Sequence, residues 1–261
     1  SIDISLYPLI KRGGEMVELA AKNSTQTNVF PLMEERRVGF SLAFCAGLMN
    51  AWTFFHAQTF ATVQSGNVIQ VGYRLVEGDW IAFWFAFSSV IAFGLGSAVC
   101  GVLMTTLIKE GRNFSNIVLW SECILLSIIT LLAFTNTIPL AFLAVAISFV
   151  AGMQGNAFHK DHGMLYGNVA VTFVVQMAFN FMAQSFFKKD GINGESNLMW
   201  AGIFFFVLFG FAIGGALGFF CDKYIGNNTS LIITIISLLL ITLFSRKDKS
   251  SPDPRTGATF V

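Results

Sequence analysis

Few residues in this sequence could do chemistry where they stand, and one short motif occurs twice. Ser65-Gly66-Asn67 lies between two apolar stretches, and Tyr166-Gly167-Asn168 repeats the Gly-Asn step about a hundred residues later. Each step is followed by a valine and then by a helical pattern. Glycine reaches backbone angles closed to other residues, and asparagine tolerates the left-handed region and caps helices with its side chain. Each step therefore predicts a break followed by a fresh helix N-terminus. Such an end carries unpaired N–H groups and about half a positive charge, which attracts an anion or a strongly polar group. The plainer reading is that these glycines only permit tight turns and close packing.

Asn50 and Gln154 fall at nearly corresponding places in two apolar segments, where they could line one cavity or bridge helices. His56, His159 and His162 are the histidines. A histidine titrates near neutrality and can couple a proton to transport, or it can simply bind water and headgroups at an interface. His56 lies deeper in its apolar run, whereas His159 and His162 flank Lys160 and Asp161. Glu122 is the one acid inside a hydrophobic segment, and an intramembrane carboxylate is a functional candidate by default. It also lies close enough to the Lys109–Arg112 loop to reach back to the interface. His56 and Glu122 are thus the proton-coupling candidates. His159 and His162 lack further metal ligands nearby, and the spacing of Cys45, Cys100, Cys123 and Cys221 fits neither a zinc site nor a disulfide framework. No metal or cofactor is expected.

The elements holding these residues follow from charge. The chain has 261 residues, 54% hydrophobic and only 12% charged, with a mean hydropathy of +0.66. A soluble domain carries roughly 25% charged residues. No Asp, Glu, Lys or Arg occurs from Arg37 to Arg74, from Asp79 to Lys109, from His162 to Lys188, from Glu195 to Asp222 or from Lys223 to Arg246, and Glu122 alone interrupts Arg112 to Lys160. Each gap holds a helix of about 20 residues, the length a bilayer requires. The expectation is an all-α, multi-pass membrane protein with apolar segments near 38–60, 80–108, 116–134, 138–158, 198–220 and 229–244. A short helix reaches about Val76, and a longer stretch runs from Tyr166 to Phe187. Thr137 is expected to cap the fourth segment, with Pro139 in its first turn. The net charge of +1 says nothing about nucleic acid, because the basic residues lie in loops and tails rather than in one patch, and no nucleic-acid partner is expected.

The chain divides into an N-terminal cytoplasmic arm (1–37), a first membrane repeat (38–134), a second membrane repeat (135–245) and a cytoplasmic tail (246–261). Ala46-Gly47-Leu48 matches Ala151-Gly152-Met153, Gly66-Asn67-Val68 matches Gly167-Asn168-Val169, and Gly96-Ser97-Ala98 matches Gly214-Gly215-Ala216, in the same order. If the two Gly-Asn helices do not cross fully, six spans put most basic residues on one side, as the positive-inside rule requires. If both cross, there are eight spans and several basic residues face outward. The six-span arrangement with two broken or re-entrant helices is preferred. Three crossings per half then make the repeats inverted, as in many secondary transporters. The glycines Gly94, Gly96, Gly101, Gly210, Gly214 and Gly218 read as helix-packing positions, and Trp52, Trp80, Trp120 and Trp200 as interface anchors.

Ala46-Gly47-Leu48-Met49-Asn50-Ala51, the run from Phe60 to Asn67 and the Gly-rich second segment resemble the YoaK family of bacterial multi-pass inner-membrane proteins, a domain of unknown function. The resemblance covers about Val38 to Phe244. The family pattern has Gly-x-x-Asp-Ala in the first motif and Thr-Gly-Asn in the second. Asn50 stands here at the acidic position, where it cannot titrate, and Ser65 stands at the threonine. The resemblance implies fold and location rather than an activity.

The expected function is secondary transport, by uptake or export, of a small polar or anionic solute in the bacterial plasma membrane. Ser65, Gly66, Asn67, Tyr166, Gly167, Asn168, Asn50 and Gln154 form the expected binding site. The partners are the bilayer and the solute, both termini are cytoplasmic, and an oligomer is compatible with the pattern. A membrane-embedded enzyme would need a clustered nucleophile, metal set or acid pair that the segments lack. A non-transporting scaffold or assembly protein would fill the space between the two breaks with side chains.

Overall fold

The computed structural model describes residues 36–109, 114–158, 167–169, 171–188 and 195–245, and the backbone of two short strands at 160–161 and 164–165. Among them are eight helices: α1 (Arg36–Ala57), α2 (Gln64–Glu77), α3 (Trp80–Lys109), α4 (Phe114–Thr135), α5 (Leu140–Ala157), α6 (Val171–Ser185), α7 (Asn197–Tyr224) and α8 (Thr229–Ser245). Strands β1 (Lys160–Asp161) and β2 (Met164–Leu165) pair antiparallel, an addition to the all-helical expectation. The arm and the tail, apart from Arg36 and Arg37, lie outside the described residues. So do His159, His162 and Tyr166.

The helix boundaries follow the charge gaps because a helix in an apolar solvent satisfies every backbone group within itself. Five helices, α1, α3, α4, α5 and α7, are long and apolar enough to cross a membrane, and Thr229–Phe244 is a shorter apolar helix. This is the make-up of a membrane-spanning chain. Their outward faces carry Ile81, Trp84, Leu95, Val102, Leu131, Phe142, Phe209 and Phe220, all exposed.

α1 is the most enclosed helix, and it packs on α5, α7 and α8; α5 packs in turn on α1, α3 and α4. Backbones cross at glycines. A Cβ on Gly47 would collide with the Phe211 carbonyl, one on Gly214 with the Phe44 carbonyl, one on Gly96 with the Phe149 carbonyl, and one on Gly152 with the Phe93 carbonyl. Gly210 would meet the Phe40 carbonyl at 2.8 Å and Gly218 the Ala51 Cβ at 2.6 Å. Gly94 has nothing within 4 Å and Gly101 only an Asn156 side-chain atom at 3.9 Å, so these two are not packing positions.

The contacts also give helix directions. Phe40, Phe44 and Ala51 meet Gly210, Gly214 and Gly218 in rising order, so α1 and α7 run parallel. Ser89 meets Ser148 and Phe93 meets Gly152, so α3 and α5 run parallel. α1 ends beside the early part of α3, because Asn67 bridges the segment after α1 to Ser89. Ser89 lies about 13 Å along α3 from Trp80 at 1.5 Å per residue. α2 therefore starts level with Ser89 and runs back along α3 to the turn at Gly78, whose left-handed φ of 74° suits glycine.

Two local expectations are corrected. Pro139 is itself the residue flanking α5 rather than part of its first turn, and the Thr137 hydroxyl pairs with Thr135 at 2.9 Å instead of capping. Trp52 and Trp200 are fully buried in the bundle rather than placed at an interface, whereas Trp80 is exposed and Trp120 partly buried.

Candidate functional site

The first Gly-Asn step lies at a helix start, after the non-helical residues 58–63, but it does not cap that helix. α2 begins at Gln64 after Val63, which makes no side-chain cap, so Gly66 and Asn67 lie inside its first turn. Gly66 has no left-handed backbone, and a Cβ there would meet only the Phe60 ring at 3.8 Å. The step's chemistry comes from Asn67, which is fully buried. Its Nδ2 reaches the Phe60 carbonyl at 2.8 Å, Gln64 Oε1 at 2.9 Å and Ser89 Oγ at 3.1 Å, while its Oδ1 accepts from the Thr59 hydroxyl at 3.0 Å. Ser89 passes the link to Ser148 on α5 at 2.7 Å. Ser65 is exposed.

Asn50 belongs to the same closed unit. Its Oδ1 accepts the Thr62 N–H at 3.0 Å, its Nδ2 donates to the Thr62 hydroxyl, and Thr53 Oγ1 accepts the Ala61 N–H at 3.2 Å. Non-helical backbone in an apolar setting must find partners within the protein. Asn50, Thr53 and Asn67 supply them for residues 59–62. Sequence reasoning missed Thr53, Thr59, Thr62 and Ser89, because a threonine or serine in an apolar run gives no sign of the long-range partner it meets.

The second step differs. Asn168 precedes α6, as expected of a break, and is fully buried, but neither Nδ2 nor Oδ1 has a hydrogen-bond partner among the described residues. Its neighbour Val169 packs on α5, where a Cβ on Gly155 would meet Val169 Cγ2 at 2.6 Å and Phe93 Cζ at 3.6 Å. Gly167 is half-buried. Next to Gly155, Gln154 is fully buried; its Nε2 donates to the Leu42 carbonyl of α1 at 3.0 Å and its Oε1 has no partner. Gln154 and Asn168 are thus brought to one region through Gly155 and Val169, while Asn50 sits with the first step. No hydrogen bond among the described residues joins the two steps.

Glu122 does not turn back to the interface. It is fully buried on α4, and both carboxylate oxygens lack partners.

His56 sits at the far end of α1, where sequence reasoning missed its partner. Its Nε2 is 3.6 Å from Asp222 Oδ2, with both side chains nearly buried. Asp222 accepts the Ser230 N–H at 2.9 Å and the Ser230 hydroxyl at 2.6 Å, capping the start of α8, and Trp52 Nε1 donates to Asn228 Oδ1 at 2.8 Å. Asp222 reads as a loop residue in sequence, but it closes α7. The acid that ends a long uncharged gap was the available signal. The described residues contain no group of three metal-ligating side chains.

A comparison with curated proteins finds no match, and neither does one with solved structures. Residues 38–244 match the model of a family described as a protein of unknown function, DUF1275, consistent with the YoaK-type resemblance, and the chain belongs to that family.

Proposed function

We propose that this protein is a secondary transporter of a small polar solute in the bacterial plasma membrane, built from two inverted halves with both termini cytoplasmic. The observation that carries the reading is the exchange of helix crossings between the halves. Gly47 of α1 lies against the Phe211 carbonyl of α7, and Gly152 of α5 lies against the Phe93 carbonyl of α3. Gly214 against Phe44 is answered by Gly96 against Phe149. Swapping α1 with α5 and α3 with α7 turns each contact into its counterpart. The remaining packing obeys the same swap, since α2 lies on α3 as α6 lies on α7, and α8 lies on α1 as α4 lies on α5.

Direction supports inversion. α1 ends beside the early part of α3, at Ser89, and α2 runs back along α3, so α2 adds no net crossing; α1, α3 and α4 make three passes before α5, α7 and α8 make three more. An odd number per half reverses the second half, the plan of many secondary transporters, whose solute sites lie at broken helices. The solute site in this reading centres on Asn168 and Gln154, where buried polar atoms await partners. Asn67 and Asn50 hold the opposite break rigid.

The test needs no knowledge of the solute. Asn168→Cys, in a chain whose four native cysteines are replaced, is exposed to a membrane-impermeant thiol reagent in right-side-out and inside-out vesicles. Alternating access predicts labelling from both sides. Labelling from neither side would leave a scaffold packed solid at the second break. Labelling from one side only would fit an enzyme cleft, and stoichiometric bound metal would strengthen that reading.

A further inference from the structure

The end of α1 meets the turn between α7 and α8 through a polar cluster, and one contact in it is left unmade. His56 Nε2 is buried with no hydrogen-bond partner among the described residues, although Asp222 Oδ2 lies only 3.6 Å away. The rest of the cluster is bonded. Asp222 Oδ1 accepts the Ser230 N–H at 2.9 Å, and Oδ2 accepts the Ser230 hydroxyl at 2.6 Å. A carboxylate that accepts a backbone N–H at the start of a helix is in its ordinary setting, because that helix end favours negative charge. Trp52, one turn back on α1, donates from Nε1 to Asn228 Oδ1 at 2.8 Å, and Asn228 holds a left-handed φ of 70°. The turn is therefore fastened to α1 at Trp52 and only approached at His56.

A proton on the imidazole changes the second point. A neutral imidazole carries hydrogen on one nitrogen and brings no charge, whereas an imidazolium donates from both. A carboxylate offers about four lone-pair sites, so Oδ2 can accept from His56 while keeping Ser230. Charge-assisted bonds of this kind are shorter and stronger than neutral ones. The Trp52 ring centroid lies 5.0 Å from that of His56, within the range at which a cation is drawn to an indole. The helices packed on α1 bring few competitors. α5 and α8 contain no ionisable residue. Beside Asp222 on α7 are Cys221, which is buried, and Lys223 and Tyr224, which are exposed and stack on each other at 5.1 Å. We infer that His56 and Asp222 form a proton-operated latch, in which the protonated imidazole bonds the carboxylate and ties the end of α1 to the α7–α8 turn. Histidines change charge between about pH 5 and 8, so the latch closes toward the acid end and opens toward the alkaline end. It goes beyond the transport reading and needs neither a solute nor the second Gly-Asn step.

The test uses the full chain in detergent at about pH 5.5 and about pH 8, near the two ends of the usual histidine range. It compares the wild type with His56→Gln, Asp222→Asn and the double variant. His56→Gln removes no hydrogen bond made by Nε2, and asparagine at 222 keeps an acceptor for the Ser230 N–H. Amide exchange at Ile225, Gly226 and Ser230 reads the turn, because their N–H groups bond to Cys221 and Asp222. Comparing proteins at one pH cancels the intrinsic pH dependence of exchange. Exchange there should be at least about fivefold slower in the wild type than in His56→Gln at the acid pH, and equal at the alkaline pH. With Asp222→Asn already present, His56→Gln should make no difference at either pH. A difference of the same size at both pH values, or none at the acid pH, overturns the latch. A pH-dependent difference that persists in the Asp222→Asn background overturns it too. If Asp222→Asn fails to fold, the comparison of wild type with His56→Gln at the two pH values still decides.

Discussion

The two Gly-Asn steps look alike in sequence and behave oppositely in the fold. At the first, Asn67 lies within the first turn of α2 and both its polar atoms are bonded, to Phe60, Gln64, Ser89 and Thr59. At the second, Asn168 lies ahead of α6 and both atoms lack partners among the described residues. The difference comes from what surrounds each amide. Threonines at 59 and 62 and a serine at 89 furnish the first step, whereas the second meets α5 through Val169 on Gly155, an apolar contact. A repeated motif can thus be fully hydrogen-bonded in one half and unsatisfied in the other.

The sharpest way to break this contrast is Asn67→Leu. It strands the Thr59 hydroxyl and the Phe60 carbonyl, while Ser89 keeps Ser148, at roughly 1–3 kcal/mol for each group left unsatisfied. The variant should melt many degrees below the wild type or fail to accumulate in the membrane. Asn50→Leu comes next, because the Thr62 N–H and hydroxyl lose their partner, and a loss of roughly 2 kcal/mol is expected by the same reasoning. Gly155→Ala acts on the second step from below, pushing a methyl against Val169. Overpacking of this kind costs about 1–3 kcal/mol, and the change should show in thermal unfolding together with altered labelling at residue 168.

Asn168→Leu should change stability by no more than about 0.5 kcal/mol, since it breaks no existing bond and removes two unpaired polar atoms. Its effect should fall on solute binding. Gly66→Ala is not expected to weaken the protein at all. Its backbone is helical and uncrowded, so alanine should be neutral or stabilise by roughly 0.5–1 kcal/mol. A large loss there would restore the glycine-dependent break expected from sequence.

Much of the architecture was legible in the sequence for one physical reason. Charged residues are excluded from apolar spans, so gaps such as Asp79 to Lys109 map directly onto helices such as α3. The small-residue matches at Gly47, Gly96, Gly152 and Gly214 also marked true backbone crossings. The facing of individual side chains was not legible. α3, α4 and α7 are apolar all round, so no polar stripe tells which side of α4 carries Glu122 inward. Asn67 could not be distinguished from Asn168, because the distinction lies in Ser89, which belongs to another helix. Asp222 was hidden by its position at a span's end, where an acid is ordinarily solvated.

Amide hydrogen exchange on the unmodified protein tests the closed-versus-open contrast most directly. Ala61 and Thr62, whose N–H groups bond to Thr53 and Asn50, should exchange only with opening of the whole bundle, while residues 168–169 should exchange at least about a hundredfold faster through local opening. Equal protection of the two steps, or faster exchange at the first, would contradict the account.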